Sequence, residues 1–206
     1  MIYVARHGET DWNREGRYQG QRESQLTDTG VAQAGALGEA LSHKGVTRVI
    51  ASPLARCVET ARPLADRLGV AVETDRDLIE IAHGSWEGRL RSALEHEDAA
   101  QMRTWREHPE AIHFEGGESL AQVDDRWRTF VARLGDADDI AIVTHDVIVR
   151  LAILYATSAP LAALWQPRVV NGGFAVFRGR GSWELLDASV DEHLGALTVD
   201  TATQAL

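Results

Sequence analysis

An arginine and a histidine stand side by side where the first apolar segment of the chain ends. Arg6, His7 and Gly8 follow the run Met-Ile-Tyr-Val-Ala, and such a run predicts a buried strand that delivers its last side chains to one edge of a sheet. An imidazole can attack phosphorus as a nucleophile, and a guanidinium offers a planar fork of donors to phosphate oxygens. Gly8 allows the backbone to approach a ligand closely. The pair therefore indicates chemistry on a phosphate group.

Arg56 supplies a second donor of the same type, in the first turn of a predicted helix. The segment Ser52-Pro53-Leu54-Ala55-Arg56 follows a short apolar run, with Ser52 predicted as the N-cap and Pro53 in the first turn. Free N–H groups and the helix dipole attract anions to a helix N-terminus. An isolated arginine is nevertheless more often a solvated surface residue. Arg56 therefore indicates a phosphate site only together with the other motifs.

Strands and helices alternate in the first third of the chain. Segments 46–51 and 70–72 are predicted strands, a helix over 52–68 ends at Gly69, and an earlier helix begins after its N-cap, Thr27. The apolar stripe predicted for that earlier helix consists of Val31, Ala34, Leu37 and Leu41. The alternation predicts an α/β fold, a three-layer α/β/α sandwich with a mainly parallel central sheet. Ligands of such sheets bind beyond the C-terminal ends of the strands.

Composition limits the classes of partner. The 206 residues carry 21 Lys and Arg against 31 Asp and Glu, a net charge of −10, which disfavours nucleic acid and anionic membranes as partners. A few local arginines can still bind a small anionic substrate. The single cysteine excludes an intramolecular disulfide and fits a reducing compartment. With no signal segment and no apolar run of about 18 residues, we expect one cytoplasmic domain over residues 1–206.

Four ordered motifs resemble those of the histidine phosphatase (phosphoglycerate mutase-like) superfamily, branch 1. The resemblance covers about residues 1–180. The motifs are Arg6-His7-Gly8-Glu9-Thr10-Asp11-Trp12-Asn13, the Ser52-Pro-Leu-Ala-Arg56 segment with its following Cys-Val-Glu-Thr-Ala, the block 75–88, and the apolar segment 140–144 ending in His145. Together the four motifs identify the superfamily, but they do not identify the substrate.

The resemblance implies a two-step phosphoryl transfer without a cofactor or a metal ion. His7 is the implied nucleophile, and Glu80, which precedes a Gly-Ser-Trp-Glu-Gly turn, is the implied general acid, with Glu87 as its rival. The implied phosphate-binding residues are Arg6, Arg56, Asn13 and His145. The implied substrate-contacting residues are Gln19 and Gly20, in the loop Arg-Tyr-Gln-Gly. The histidines between residues 90 and 115 match no simple metal-ligand spacing.

Two positions depart from the family pattern. Asp146 stands where most relatives of this branch carry glycine, and the His-Asp pair resembles the other branch, in which that aspartate donates the proton. Asp146 is therefore either a second carboxylate that contacts substrate or the N-cap of a helix over 147–154. His83 stands where relatives often have an aromatic residue. It either lines the substrate entrance or packs with its polar edge in water.

The rest of the chain is predicted to shape and close the site. An insertion at about 90–135 reads as a helical cap, with Ser119 capping a helix that runs to Leu134. Segments 171–177 and 182–186 are predicted to form a hairpin around Gly179-Arg180-Gly181. The tail 187–206 is expected to be either an ordered arm or a frayed end. Apolar residues near the hairpin are compatible with a homodimer.

The resemblance favours one function over two others. The favoured function is a metal-independent phosphatase that hydrolyses a small phosphorylated metabolite through a phosphohistidine. A phosphoglycerate-type mutase is the first alternative, although the mutases of this family are usually longer. A non-catalytic phosphate-binding protein is the second, and the presence of both His7 and Glu80 disfavours it.

Overall fold

The sheet has six strands in the order β3-β2-β4-β1-β5-β6. The structure is a computed structural model that describes residues 1–179, 182–202, 204 and 205. The strands are β1 (Ile2–Arg6), β2 (Arg48–Ala51), β3 (Val72–Thr74), β4 (Ile140–Thr144), β5 (Phe174–Arg178) and β6 (Glu184–Val190). The first four in the spatial order run parallel, and β5 and β6 complete the sheet antiparallel. The predicted α/β fold with a mainly parallel sheet is confirmed.

Helices cover both faces of this sheet. They are α1 (Asp11–Glu15), α2 (Asp28–Ser42), α3 (Ala55–Leu68), α4 (Arg91–Glu97), α5 (Ala99–Glu107), α6 (Leu120–Leu134) and α7 (Asp146–Thr157). Side chains of β1 alternate between two cores: Ile2 and Val4 pack in the core of α6 and α7, whereas Tyr3 and Ala5 pack in that of α2 and α3. A strand buried on both faces reads as a continuous apolar run, which is why the first five residues carried so clear a strand pattern.

The pairing of β1 with β4 positions the site. The two strands are parallel neighbours with Arg6 opposite Thr144, so His7 and His145, which follow them, lie side by side at the C-terminal edge of the sheet. The backbone N–H of His7 donates to the carbonyl of Thr144 at 2.9 Å. Side chains that are 138 positions apart in the sequence are thus placed together by strand register.

Two predicted strands and one predicted helix start are shifted. β2 begins at Arg48 and β3 spans Val72–Thr74, each two residues later than expected. α3 begins at Ala55 with Leu54 at its cap position and no side-chain cap. The prediction that Ser52 caps this helix is wrong, because the Ser52 hydroxyl lies 2.8 Å from Nε2 of the His145 ring. Pro53 accordingly precedes the helix.

The predicted stripe of α2 is wrong at one position. Val31 is 58% exposed, whereas Ala34, Leu37 and Leu41 are buried as expected. The buried face begins at Gly30, which lies one residue before Val31 and packs directly against the backbone of Glu9. Val31 is turned to the solvent side because successive residues of a helix are about 100° apart.

The insertion at about 90–135 contains α4, α5 and α6. Ser119 caps α6 in a capping box with Gln122, as the sequence predicts. Trp105, Trp127 and Phe130 are buried in the core of this side of the molecule. Within the described residues, no helix has both the length and the apolar content needed to cross a bilayer.

The C-terminal part forms the expected hairpin and then an ordered arm. β5 and β6 pair antiparallel, while the turn residues Arg180 and Gly181 lie outside the described residues. A 3₁₀ segment at Glu192–Leu197 follows, and Gln204 and Ala205 are buried. Thr203 and Leu206 also lie outside the described residues. For the described residues of the tail, the ordered arm is the correct alternative.

Candidate active site

One pocket gathers eight of the nine residues proposed from the sequence. It opens at the C-terminal edge of the sheet, and we call it the arginine pocket. The predicted residues that line it are Arg6, His7, Asn13, Gln19, Gly20, Arg56, Glu80 and Asp146, and His83, Val147 and Ala205 line it as well. His145, the ninth, is fully buried and packs edge-on against the His7 ring, with 5.3 Å between the ring centres.

His7 is held as a neutral imidazole with a free lone pair. Its Nδ1 lies 2.7 Å from the carbonyl of Gly8, and since a carbonyl only accepts, we assign the proton to Nδ1. Burial and then the charges of Arg56 and Arg6 hold the pKa of His7 well below its usual range. Nε2 is therefore the unprotonated nitrogen, and it is available as a nucleophile.

Gly8 lets this strand end pack tightly on the neighbouring helix. Its N–H donates to Oγ1 of Thr60 at 3.0 Å. A Cβ at Gly8 would lie 2.5 Å from the carbonyl oxygen of Gly30, far inside van der Waals contact. Glycine is required at position 8 by packing against α2, and the rigid turn that results orients the His7 ring.

Donors of three side chains in the pocket make no hydrogen bond within the described residues, although Nη1 of Arg6 lies 3.5 Å from the carboxylate of Asp146. Nε and Nη1 of Arg6, Nε of Arg56 and Nδ2 of Asn13 are buried and make no hydrogen bond within the described part of the chain. The other Arg56 nitrogens are fixed by backbone carbonyls, Nη1 by that of Arg22 and Nη2 by that of Gly20, both at 2.8 Å. A buried donor without a partner is costly, so this cluster indicates an anion with several acceptor oxygens.

Glu80 carries a proton more readily than an ordinary glutamate. It is only 8% exposed, and burial followed by the nearby charge of Asp146 raises its pKa to about 7. A hydrogen bond from the Ile81 N–H, at 2.9 Å to Oε1, opposes that shift. Near neutral pH the protonated and ionised forms coexist, which is what a group acting first as acid and then as base requires.

Glu87, the rival carboxylate, has a different position. Its Oε1 accepts the backbone N–H groups of Gln21 and His83, each at 3.1 Å, and it is not among the residues that line the pocket. Gly20 has a positive φ of 52°, and a Cβ there would lie 2.1 Å from the same Glu87 oxygen. Glu87 therefore shapes the loop that presents Gly20 to the pocket.

Asp146 is the first residue of α7 and not its N-cap. His145 occupies the cap position in extended conformation, so the cap interpretation of Asp146 is wrong. Its carboxylate instead accepts from Nε of Arg150 at 2.6 Å, and Oδ1 lies 3.5 Å from Nη1 of Arg6. Asp146 thus ties one pocket arginine to a second, buried arginine.

His145 is also uncharged. Its Nε2 lies 2.8 Å from the Ser52 hydroxyl and 3.4 Å from the Cys57 sulfur. Burial and the charge of Arg56 hold its pKa well below the usual range. A neutral ring packed on His7 orients the nucleophile, and a direct contact of His145 with phosphate stays a prediction. Cys57 is buried with its pKa raised to about 12 by burial, so it is a packed thiol.

Asn13 and Gln19 belong to one hydrogen-bonded corner of the pocket. Oδ1 of Asn13 accepts from the backbone N–H of Thr10 at 3.1 Å, which completes the capping box of α1. Oε1 of Gln19 accepts from the hydroxyls of Thr10 and Ser24. Because the amide oxygens are occupied, the amide nitrogens of both side chains are the groups left for a ligand.

Similarity to known proteins agrees with this geometry. The family model described as histidine phosphatase superfamily (branch 1) matches residues 2–189. The chain belongs to this superfamily. The family and the pocket together make the protein a phosphoric monoester hydrolase.

The curated relatives are named for more than one activity. Phosphoserine phosphatase 1 of Hydrogenobacter thermophilus (strain DSM 6534 / IAM 12695 / TK-6) is 30% identical over 203 residues, which cover 97% of this chain and 96% of that protein. Phosphoglycerate mutase-like protein 4 of Arabidopsis thaliana is 35% identical over 193 residues, covering 86% and 78%.

Solved structures show the same fold. Bacillus stearothermophilus YhfR superposes with a TM-score of 0.88 at 26% identity, covering 94% of this chain and 98% of that one. A mycobacterial glucosyl-3-phosphoglycerate phosphatase superposes with a TM-score of 0.83 at 27% identity, covering 92% and 98%.

His83 lines the pocket of this histidine phosphatase from the cap side. It is 3% exposed and packs edge-on against Tyr18 and Phe114, with ring centres 5.0 and 4.8 Å away. The interpretation that its polar edge lies in water is wrong. Burial lowers its pKa to about 3, and neither ring nitrogen has a hydrogen-bond partner within the described residues.

Sequence reasoning missed two further residues of the histidine phosphatase site. Arg150 carried one usable signal, because it stands four residues after Asp146 in a predicted helix and can pair with it. Gln204 carried no sequence signal. Its Oε1 accepts from Nη2 of Arg6 at 2.6 Å, and its Nε2 donates to Oδ1 of Asn171 at 2.8 Å. In addition, no group of three or more His, Cys, Asp or Glu side chains in the described ranges is arranged to hold a metal ion.

Proposed function

We propose that this hydrolase removes the phosphoryl group of a small phosphomonoester through a phosphohistidine at His7. The observation that carries the proposal is the set of buried, unpartnered donors of Arg6, Arg56 and Asn13 around the His7 ring. A phosphoryl group has three peripheral oxygens that can accept from such donors, and guanidinium groups bind phosphate in a directed, bidentate way. The same donors neutralise the charge that develops during transfer.

In the first step, Nε2 of His7 attacks phosphorus and the bond to the substrate oxygen breaks. Glu80 has a pKa of about 7, so its acid form is present at neutral pH beside the carboxylate, and this acid form gives its proton to the leaving oxygen. The products of this step are the free alcohol, a phosphohistidine and an ionised Glu80. The hydrogen bond from Nδ1 to the Gly8 carbonyl stabilises the positive charge that the ring gains on attack.

In the second step, water takes the place of the alcohol. The Glu80 carboxylate accepts a proton from water as the water oxygen attacks phosphorus, and the bond between phosphorus and Nε2 breaks. Inorganic phosphate leaves, and His7 and Glu80 return to their starting protonation states. The arginines supply the positive charge in both steps, which supports a reaction that needs no metal ion.

The proposed substrate is a small phosphorylated metabolite. The arginine pocket has a volume of about 20 Å³, and the chain carries a net charge of −10, which disfavours nucleic acid as substrate. His83 lines the pocket, and neither of its ring nitrogens has a hydrogen-bond partner among the described residues, so a hydroxyl of the substrate is a suitable partner. The single, buried Cys57 supports the proposal that the enzyme works in the reducing cytoplasm.

The test is release of inorganic phosphate from a panel of small phosphomonoesters with EDTA present. Wild type, His7→Ala and His43→Ala are compared, because His43 is an exposed histidine, 80% accessible, far from the pocket. We expect release by wild type and His43→Ala and none by His7→Ala, with all three proteins folded by circular dichroism. Acid-labile radiolabel on wild type after rapid quenching would identify the phosphohistidine.

Mutase-named relatives make product analysis part of the same test. Free phosphate with the dephosphorylated alcohol supports the hydrolase. An isomeric phosphoester in place of free phosphate would contradict it, as would equal turnover by wild type and His7→Ala.

A further inference from the structure

A second cavity lies beside the arginine pocket, and we call it the aromatic cavity. It has a volume of about 390 Å³ and is lined by Tyr18, Trp105 and Trp165, by Arg91 and Arg106, and by tail residues that include Ala202 and Gln204. Cavities that bind small organic molecules have volumes of roughly 300–1,000 Å³. The aromatic cavity therefore has the size of a ligand site, whereas the arginine pocket alone accommodates nothing beyond the phosphate end of a substrate.

The C-terminal tail contacts both spaces. Gln204 lines the aromatic cavity and at the same time occupies Nη2 of Arg6 through its amide oxygen, at 2.6 Å. Ala205, the next residue, lines the arginine pocket. A phosphoryl oxygen that accepts from Nη2 of Arg6 has to displace the amide oxygen of Gln204, and that displacement would open the way between the two spaces.

Direct contacts also couple the walls of the two spaces. The His83 ring, which lines the arginine pocket, packs on the rings of Tyr18 and Trp105, at 5.0 and 6.0 Å between centres. On the other side, Arg150, the partner of Asp146, lies 5.0 Å above the Trp165 ring. A substrate with its phosphate on Arg6 would thus extend its alcohol past His83 towards these aromatic rings.

The charge of the aromatic cavity is positive. Arg91 and Arg106 both pair with the single carboxylate of Glu95, so one positive charge remains uncompensated between them. Among the described residues that line the cavity, none is acidic. The guanidinium of Arg106 is partly exposed and shares Glu95 with Arg91, so a carboxylate of a ligand would supply the second negative charge. An anionic group on the alcohol is favoured there, next to an apolar surface that suits a ring.

We propose that the aromatic cavity binds the alcohol part of the substrate, and that this alcohol carries both a ring and a carboxylate. The proposal rests on the phosphatase function proposed above and adds its substrate class. The ring contacts Trp165 and Tyr18, the carboxylate pairs with Arg106, and Gln204 withdraws from Arg6 when the phosphate binds. An alcohol as small as glycerate or serine leaves most of the cavity unfilled and makes few of these contacts.

The experiment compares four phosphomonoesters that separate the two features. Glucosyl-3-phosphoglycerate has a ring and a carboxylate, 3-phosphoglycerate has only the carboxylate, and glucose 6-phosphate has only the ring. Nitrophenyl phosphate has a ring without a carboxylate, and its good leaving group reports phosphoryl transfer that depends little on the general acid. We expect kcat/KM of wild type to be higher by about tenfold or more for the first than for the second and third, since one charge-assisted contact contributes on that order.

Arg106→Gln is the variant that tests the charge, and Arg103→Gln is its control. Arg103 is exposed on the same helix, α5, and does not line the cavity. Arg106→Gln should raise KM for glucosyl-3-phosphoglycerate on the order of tenfold, and it should raise KM far less for glucose 6-phosphate and nitrophenyl phosphate, which have no carboxylate. Arg103→Gln should change none of these values.

The outcomes separate this proposal from the proposed function. If wild type hydrolyses nitrophenyl phosphate but shows no preference for the ester with ring and carboxylate, the substrate class is wrong and the phosphatase stands. The same conclusion follows if Arg106→Gln lowers activity on all four esters alike. If wild type hydrolyses none of the four, or if His7→Ala retains the activity, the phosphatase function fails and this proposal fails with it.

Discussion

The arginine pocket and the aromatic cavity are neighbours built in opposite ways. Most side chains of the arginine pocket lie at or after the ends of β1, β2 and β4, which are almost entirely buried strands. Glu80 and His83 follow β3, and Ala205 belongs to the tail. The aromatic cavity is assembled from the cap helices α4 and α5, the segment after α7 and the tail. The first is fixed by the hydrogen bonds of the sheet, whereas the second depends on packing between distant parts of the chain.

This difference separates the chemistry from the choice of substrate. Phosphoryl transfer requires a few groups held in fixed positions, and strand ends provide rigid positions. Substrate choice needs a surface that can change without disturbing those groups, and a cap and a tail provide it. The predictions below test whether the two regions are as independent as their construction indicates.

Arg56→Ala should have the largest effect and should act on every substrate. The change removes a donor that is fixed by two backbone carbonyls, and loss of one such oxyanion contact costs on the order of 10³-fold in kcat. Arg56→Lys should recover little, because an ammonium lacks the planar fork. The measurement is kcat/KM for nitrophenyl phosphate and for an alkyl phosphate.

Arg62→Ala is the control for Arg56, since Arg62 is exposed on the same helix. Its kinetics should match wild type. A loss at Arg56 confined to one substrate would show that the arginine pocket and the aromatic cavity are not independent.

Glu80→Gln should slow the release of poor leaving groups by about 10²–10³-fold and affect nitrophenolate much less. Glu80 has a raised pKa of about 7, so its acid form is present below pH 7 and is lost as the pH rises through that value. With an alkyl phosphate, kcat/KM of wild type should therefore fall above about pH 7, and Glu80→Gln should lack this limb. Equal losses on both substrate types would exclude Glu80 as the acid.

Asp146→Asn should lower kcat/KM on the order of tenfold and shift the pH profile. The Asp146 charge is the second cause of the raised pKa of Glu80, so its removal lowers that pKa and moves the alkaline limb to lower pH. The variant also leaves the buried Arg150 without its partner, which destabilises the fold by several kcal/mol, so unfolding has to be measured in parallel. Asp136→Asn, at an exposed position, is the control, and an unshifted limb in a folded Asp146→Asn would contradict the coupling.

Gln204→Ala should have the smallest effect, and in the favourable direction. The carboxamide competes with phosphate for Nη2 of Arg6, so its removal should lower the KM for nitrophenyl phosphate and the inhibition constant for inorganic phosphate by about threefold. Gln204→Glu should act oppositely, because a carboxylate binds Arg6 more tightly than an amide does. A Gln204→Ala variant with raised KM would show that Gln204 helps to bind phosphate instead of competing with it.

The local sequence was sufficient to place most of the arginine pocket. The runs that became β1 and β4 are continuous and apolar, so their ends, and with them His7 and His145, could be predicted. Arg56 and Glu80 depended on motif position, and the side chain of Glu80 acquired its raised pKa only through burial near Asp146, which is 66 positions away. The capping role predicted for Ser52 and the capping alternative for Asp146 were wrong because the two side chains contact His145 and Arg150 instead.

By itself, the sequence determined the strand ends that carry the chemistry, the alternation of strands and helices, and the family. These features depend on short-range patterns, such as apolar runs, turn glycines and motif spacing. Each such pattern can be recognised within a segment of about ten residues. Only the tertiary structure decided that Gln204 reaches Arg6, that the polar edge of His83 is buried, and that Arg91 and Arg106 share one carboxylate beside a cavity. Such contacts join segments far apart in the chain, and their existence depends on how the cap and the tail pack on the finished sheet, which no local pattern records.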